Sequence, residues 1–148
     1  MTSDEETTMD LYRESEALTV AECWRRLASV AVGRVVFTER ALPAVHPVNF
    51  LVHGRAVIIR TGPGPTLDAA RRGDVLAFEA DHIDPETRTG WSVLVVGHAA
   101  VVGDVDRLVA VLDPQHRPWV HGRGLHVMEV AGQRVTGRRL VLGRTPAA

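Results

Sequence analysis

Arg60, Thr61 and Thr66 frame the best-furnished anion site in this chain of 148 residues. In Arg60-Thr61-Gly62-Pro63-Gly64-Pro65-Thr66 an apolar β-like run ends on arginine, two glycines allow a sharp turn, and a helix begins near Thr66. The first N–H groups of such a helix have no intrahelical partner and suit a phosphate. The hydroxyls of Thr61 and Thr66 add donors, and Arg60, Arg71 or Arg72 supplies positive charge. An ordinary strand-to-helix turn shaped by Gly and Pro has the same letters, and the residues alone favour it. The segment is no Walker loop, because the Gly-Lys-Ser/Thr ending is missing. All 17 basic residues are arginine. A lysine Schiff base, and with it covalently linked pyridoxal phosphate, is therefore excluded. Any phosphate must be held by arginine, hydroxyls and main-chain N–H groups.

Two further segments suit a planar, polar ligand. In Pro47-Val48-Asn49 the proline interrupts a strand ladder, and Asn49 offers both a donor and an acceptor, for a ligand or for a neighbouring loop. In Gly90-Trp91-Ser92-Val93 the indole can stack on a ring or fill an apolar seam, and Ser92 can bond phosphate or sugar oxygens. Other arrangements carry less. His116, His121 and His126 recur every five residues, which fits neither a helix face nor zinc spacing, and Cys23 is the lone cysteine. No Gly-x-Ser-x-Gly elbow supports a hydrolase. Glu79 and Asp81 share one strand face and are expected to bond loop backbone or arginines rather than to do acid–base work.

The elements that must position these residues are short. Thr19 and Glu22 have capping-box spacing, and Val20, Cys23, Trp24 and Leu27 then recur at helical intervals, which makes Cys23 and Trp24 core residues. Strands are expected at 34–38, 44–52 and 56–60, with Glu39 to Leu42 and His53-Gly54 as the turns. A short helix over 66–72 leads to a strand at 75–80, a polar loop over 81–89 and a long strand at 91–102, in which Gly97 marks a bend or bulge. Asp104 caps a helix carrying Val105, Leu108, Val109 and Leu112. A loop from Pro114 to Gly124 precedes two last strands, at 125–130 and 134–142. About seven antiparallel strands with short helices and no repeat predict a mainly β protein, a small barrel. Residues 1–16 read as a flexible leader and 17–148 as one domain.

Composition narrows the function classes. A net charge of −1 gives no electrostatic case for nucleic acid or an anionic membrane. Apolar runs are of strand length, so no membrane helix is expected, and the acidic N-terminus is unlike a signal peptide. The expectation is a cytoplasmic protein.

Five blocks in fixed order carry a family resemblance: Val32-Gly33-Arg34, Pro47-Val48-Asn49-Phe50, Arg60-Thr61-Gly62, Phe78-Glu79-Ala80-Asp81 and Gly90-Trp91-Ser92-Val93. Together they resemble the pyridoxamine 5′-phosphate oxidase-like, FMN-binding split barrels, over roughly residues 18–140. The resemblance implies a homodimer with two flavin sites at its interface. It places Ile59, Arg60, Thr61 and Thr66 at the FMN phosphate, Pro47, Val48 and Asn49 beside the ring, and Trp91 and Ser92 over the site from the second subunit. It implies a lysine where this chain has Thr66, so one charged phosphate contact is replaced by a hydroxyl. It also brings Val135-Thr136-Gly137-Arg138-Arg139 into the pattern, with arginines that reach the ligand or, as preferred here, pair across the dimer. The implied activity is oxidation or reduction of a small planar substrate, nitroimidazole-reductase-like members among the relatives, with a deazaflavin as the alternative cofactor. A module that binds or stores a flavin, deazaflavin or haem without turnover is the competing reading.

Overall fold

The strands at 32–39, 75–84 and 89–101 bury alternate residues over most of their length, so one face of each packs inward. The computed structural model describes residues 16–111 and 126–142. The order is β1 (Glu16–Ala17), α1 (Val20–Leu27), β2 (Val32–Glu39), β3 (Leu42–His53), β4 (Ala56–Thr61), α2 (Pro65–Arg72), β5 (Val75–Asp84), β6 (Thr89–Val101), α3 (Val105–Val111), β7 (His126–Ala131) and β8 (Arg134–Val141). All pairings are antiparallel, in the order β1-β8-β6-β5-β2-β3-β4-β7, and a further β6–β7 pairing closes six strands into a barrel.

Closure depends on β6 being long enough for two neighbours on one edge. Thr89 to Val96 pair with β8, whereas Ala99 to Val101 pair with β7. The exchange falls at Gly97, where a Cβ would run into the carbonyl of Ala131. Gln133, in the β7–β8 turn, accepts the His98 N–H at 2.8 Å and fills the junction. The bend expected at Gly97 is thus a change of strand partner.

Inside the barrel, Val35, Phe37, Phe50, Val57, Ile59, Phe78, Val93, Val95, Met128 and Val130 form the main core with Cys23 and Leu27 of α1. The capping box of α1 is present, with the Glu22 N–H donating to Thr19 Oγ1 and the Thr19 N–H to the Glu22 carboxylate. Burial pushes the Cys23 thiol above its ordinary value, which suits a core residue rather than a nucleophile. A second apolar cluster, of Ala56, Ile58, Val102, Val111 and Val127 with Leu51 and Leu108, lies on the outer face of β4 and β7 beneath α3. Arg107 of α3 pairs with Glu129 of β7 there.

Several expectations need correction. Asp81 to Asp84 belong to β5, so the loop is only 85–88, where Asp84 accepts the Glu86 N–H at 2.9 Å. The reversal after β3 uses Gly54 and Arg55, both at positive φ, with His53 still in the strand. Asp104 does cap α3, accepting the Asp106 N–H at 3.0 Å, but the helix buries Leu108 and Val111 while Val105 and Val109 face outward. Glu16, placed in the leader by sequence, pairs with Arg139. The rest of that leader, Leu112, the loop from Pro114 to Gly124, and Leu125 lie outside the described residues. Among the described residues no helix is long and apolar enough to cross a membrane.

The β2–β3 turn contains a local conflict. Glu39 pairs with Leu42, leaving Arg40 at φ 50° and Ala41 at φ 63°, a two-residue turn that favours Asn-Gly. Ala41→Gly removes a Cβ from the left-handed region and is expected to stabilise the protein by about 1 kcal/mol, read as a higher urea midpoint.

Candidate functional site

The barrel opens where β3 and β4 part. Their ladder runs from His53↔Ala56 to Phe50↔Ile59 and stops. Yet β4 continues, held on its other edge by Arg60↔Val127 and Thr61↔His126, and β3 runs back along β2 through Asn49↔Val32 and Pro47↔Arg34. Val48 and Asn49 therefore form one lip of a cleft and Arg60 and Thr61 the other. The Phe50 N–H bonds the Ala31 carbonyl on the β2 side at 3.1 Å, so strand alternation turns the main-chain groups of Asn49 and Pro47 towards the opening. Pro47 forfeits no ladder bond at that edge.

Side chains divide by the same alternation. Phe50 and Ile59 are core residues, and Val48 packs against that core. Asn49 and Arg60 accordingly share the outer face. Arg60 is half-buried, and its Nε is buried without a hydrogen-bond partner. An unsatisfied buried donor costs about 1–3 kcal/mol, more for a charged group, and an anion at the cleft would remove that cost.

The turn after β4 adds donors. Gly64, at φ 155°, starts α2 with no side-chain cap, so the N–H groups of Thr66 and Leu67 are left to a ligand or solvent. The Asp68 N–H already bonds the Gly64 carbonyl at 3.0 Å. Thr66 is 5% exposed, and Thr61 donates its hydroxyl to the Gly62 carbonyl at 3.2 Å. Arg72 is bound to Asp74 at 2.9 Å and Arg71 lies 3.8 Å from Asp68. Of the three candidate cations, Arg60 is the one with an unmatched donor.

The structure brings together Pro47, Val48, Asn49, Ile59, Arg60, Thr61 and Thr66, with Ile59 contributing from the core side. It does not bring Trp91 and Ser92 to them. Ser92 lies opposite Asp81 on β6, three strand spacings from β3, or about 14 Å. Within the single chain Trp91 is 6% exposed and belongs to the core. Only Ser92 of this pair faces outward.

Two features were not visible in the sequence. Arg34 reaches Glu79 Oε2 at 3.4 Å and Asp81 Oδ2 at 3.2 Å through one nitrogen, which fulfils the expectation that these carboxylates bond arginine but names the arginine only through register. Burial, then the hydrogen bond and charge of Asp81, raise the Glu79 carboxyl to about 7 against the opposing effect of Arg34. His126, set aside by its spacing, stands opposite Thr61 at the cleft. His116 and His121 lie outside the described residues. Among those described, no group of three or more His, Cys, Asp or Glu side chains could hold a metal ion.

Comparison with known proteins gives a consistent picture. The family model for pyridoxamine 5′-phosphate oxidase matches residues 19–139. An uncharacterized protein of Mycobacterium tuberculosis is 44% identical over 140 residues, covering 90% of this chain and 91% of the relative. The solved FAD-binding protein of Mycobacterium smegmatis is 38% identical with a TM-score of 0.76, covering 86% of this chain and 100% of that one. A proposed pyridoxamine 5′-phosphate oxidase of Corynebacterium glutamicum is 28% identical with a TM-score of 0.73, covering 88% and 96%.

Proposed function

This chain belongs to the pyridoxamine 5′-phosphate oxidase family, and from that premise we propose that it is a flavin-dependent oxidoreductase with its cofactor in the β3–β4 cleft, at an interface between two copies. The observation that carries the reading is the parted ladder at Asn49 and Arg60, with the buried, unpartnered Arg60 Nε beside it. The FAD-binding relative, at 38% identity, supports a flavin. FMN is the cofactor assigned here, with FAD and a deazaflavin as outcomes the test separates.

The residues fit such a group. Arg60, the Thr66 and Leu67 N–H groups and the Thr61 and Thr66 hydroxyls would hold its phosphate. Main-chain groups of Pro47 and Asn49, with the Asn49 amide, would orient its ring, and Ser92 would reach it from the second copy. A bound flavin supplies hydride and single-electron transfer through its own ring. The protein's part is to bind, orient and exclude water, which matches a site without a nucleophile or an acid–base pair. A small planar acceptor, such as a nitro or quinone compound, suits an opening between two strands.

Purified protein mixed with FMN and passed through gel filtration should keep a visible flavin band at about one per chain. Chromatography of the released cofactor distinguishes FMN, FAD and deazaflavin. Bound, reduced flavin that passes electrons to nitro or quinone acceptors no faster than free flavin would leave a binding or storage module. A chain that retains none of the three would end the flavin reading.

A further inference from the structure

We propose that the wedge between the end of α1, the β2-facing edge of β3 and the end of α3 is a second binding site. Its ligand is a small, uncharged molecule that carries a secondary amide on an apolar body. The site lies off the β3–β4 cleft and does not depend on the flavin reading.

The wedge opens where two segments part. β2 and β3 stay paired as far as Val32↔Asn49, and one more bond, from the Phe50 N–H to the Ala31 carbonyl at 3.1 Å, closes the junction. Beyond that bond β3 runs on to His53, held on its other edge by β4. Continued pairing would set Val52 opposite Ser29, but residues 28–30 are tied into the end of α1. The Ala28 N–H bonds the Trp24 carbonyl, the Ser29 N–H and hydroxyl bond the Arg26 carbonyl, and the Val30 N–H bonds the Leu27 carbonyl. Strand alternation points the Val52 N–H and C=O the same way as those of Phe50, into the gap. Among the described residues no main-chain group meets them there. A donor and an acceptor of one strand residue are thus left for an outside partner.

The gap is a pocket of about 390 Å³, at the small end of the range for ligand sites. Leu27 and Phe50, both of the main core, line one side, and Val111 of the second cluster lines another. None of the lining residues is Asp, Glu or Arg, and His53 alone can titrate, so a charged ligand would enter without a firm counter-charge. A neutral amide suits both features. Its C=O accepts from the Val52 N–H and its N–H donates to the Val52 C=O, in place of the strand residue that α1 withholds, while its side group covers Leu27, Phe50 and Val111. Leu51 and His53 turn their main-chain groups to β4, so Val52 is the one residue on this stretch free to pair. The site therefore takes one residue's worth of amide, not a whole strand of a partner protein.

N-acetyl-leucinamide is the probe. Titrated into the isotope-labelled full chain, with and without saturating FMN, it should shift the Val52 amide resonance saturably, with a dissociation constant on the order of 1 mM for a ligand of its size. The ester analogue, in which oxygen replaces the leucine N–H, cannot donate to the Val52 carbonyl and should bind about tenfold more weakly. Ala110→Phe places a ring in the pocket and should abolish the shift without moving FMN affinity. No saturable shift at Val52, or equal binding of amide and ester, overturns the inference. Shifts confined to Asn49 and Thr61 would put the probe in the β3–β4 cleft and overturn it as well. FMN retention is read separately, so either reading can fail alone. The two probes on the unaltered chain decide these outcomes even if the variant misfolds.

Discussion

Arg60→Met should weaken flavin binding about 10- to 150-fold while leaving the empty protein at least as stable as before. The two effects have opposite signs because they come from different halves of one side chain. In the empty cleft, Nε is buried without a partner, whereas the stem runs along the outer face of β4 opposite Val127. Methionine keeps an apolar stem of similar length and deletes the unsatisfied donor, so the empty protein loses little packing and sheds a desolvation penalty. With a phosphate present, the same substitution removes hydrogen bonds to a charged group, worth about 1.5–3 kcal/mol, and each 1.4 kcal/mol is about tenfold in affinity. A structural arginine would behave otherwise: its removal would lower the melting temperature and leave flavin affinity largely unchanged. Flavin fluorescence titration beside a thermal melt of the cofactor-free protein separates the cases. Arg60→Lys adds a finer comparison, since an ammonium keeps the charge but loses the planar fork, and should fall between the parent and methionine.

How much of this was legible depended on whether the cause was local. The α1 helix was readable because Thr19 and Glu22 carry its start and Cys23 and Leu27 its buried side within nine residues. The helix after Asp104 was half readable. Its cap is a local device, but seven residues are too few for periodicity to fix the buried face, and packing on β4 and β7 selected Leu108 and Val111 over Val105 and Val109. Asp81 to Asp84 resembled a loop because polar residues predominate, yet full pairing with β6 from Asp81↔Ser92 to Asp84↔Thr89 holds them in strand. The cleft residues were found through the order of the blocks, which is information about relatives rather than local physics. What makes Arg60 informative, a buried nitrogen lacking a partner, follows from three-dimensional packing and has no signature in its neighbours along the chain. The Arg34–Glu79–Asp81 cluster is similar, since its members are 45 and 47 residues apart and meet only through the β2–β5 register.

The same dependence on non-local pairing makes Gly97 a vulnerable position for stability: Gly97→Ala is expected to destabilise the fold by about 3 kcal/mol. The new methyl would meet the Ala131 main-chain carbonyl, not the movable end of a side chain, and Gln133 Oε1 lies 3.2 Å from the same point. Relief requires moving the β7–β8 turn away from β6. That motion pulls on the bond from His98 N–H to Gln133 and on the Ala99↔Val130 pairing, which together close the barrel. The binding site should follow, because Arg60 and Thr61 are held on their far edge only by β7, the strand that would shift. Gly103→Ala is the control: a Cβ there has nothing within 4 Å, its φ is ordinary, and the change should stay within about 0.5 kcal/mol. Urea unfolding of both variants gives the comparison directly. Equal midpoints would mean that β7 does not approach β6 as closely as the barrel requires, and the cleft between β3 and β4 would then lose the strand that holds it open.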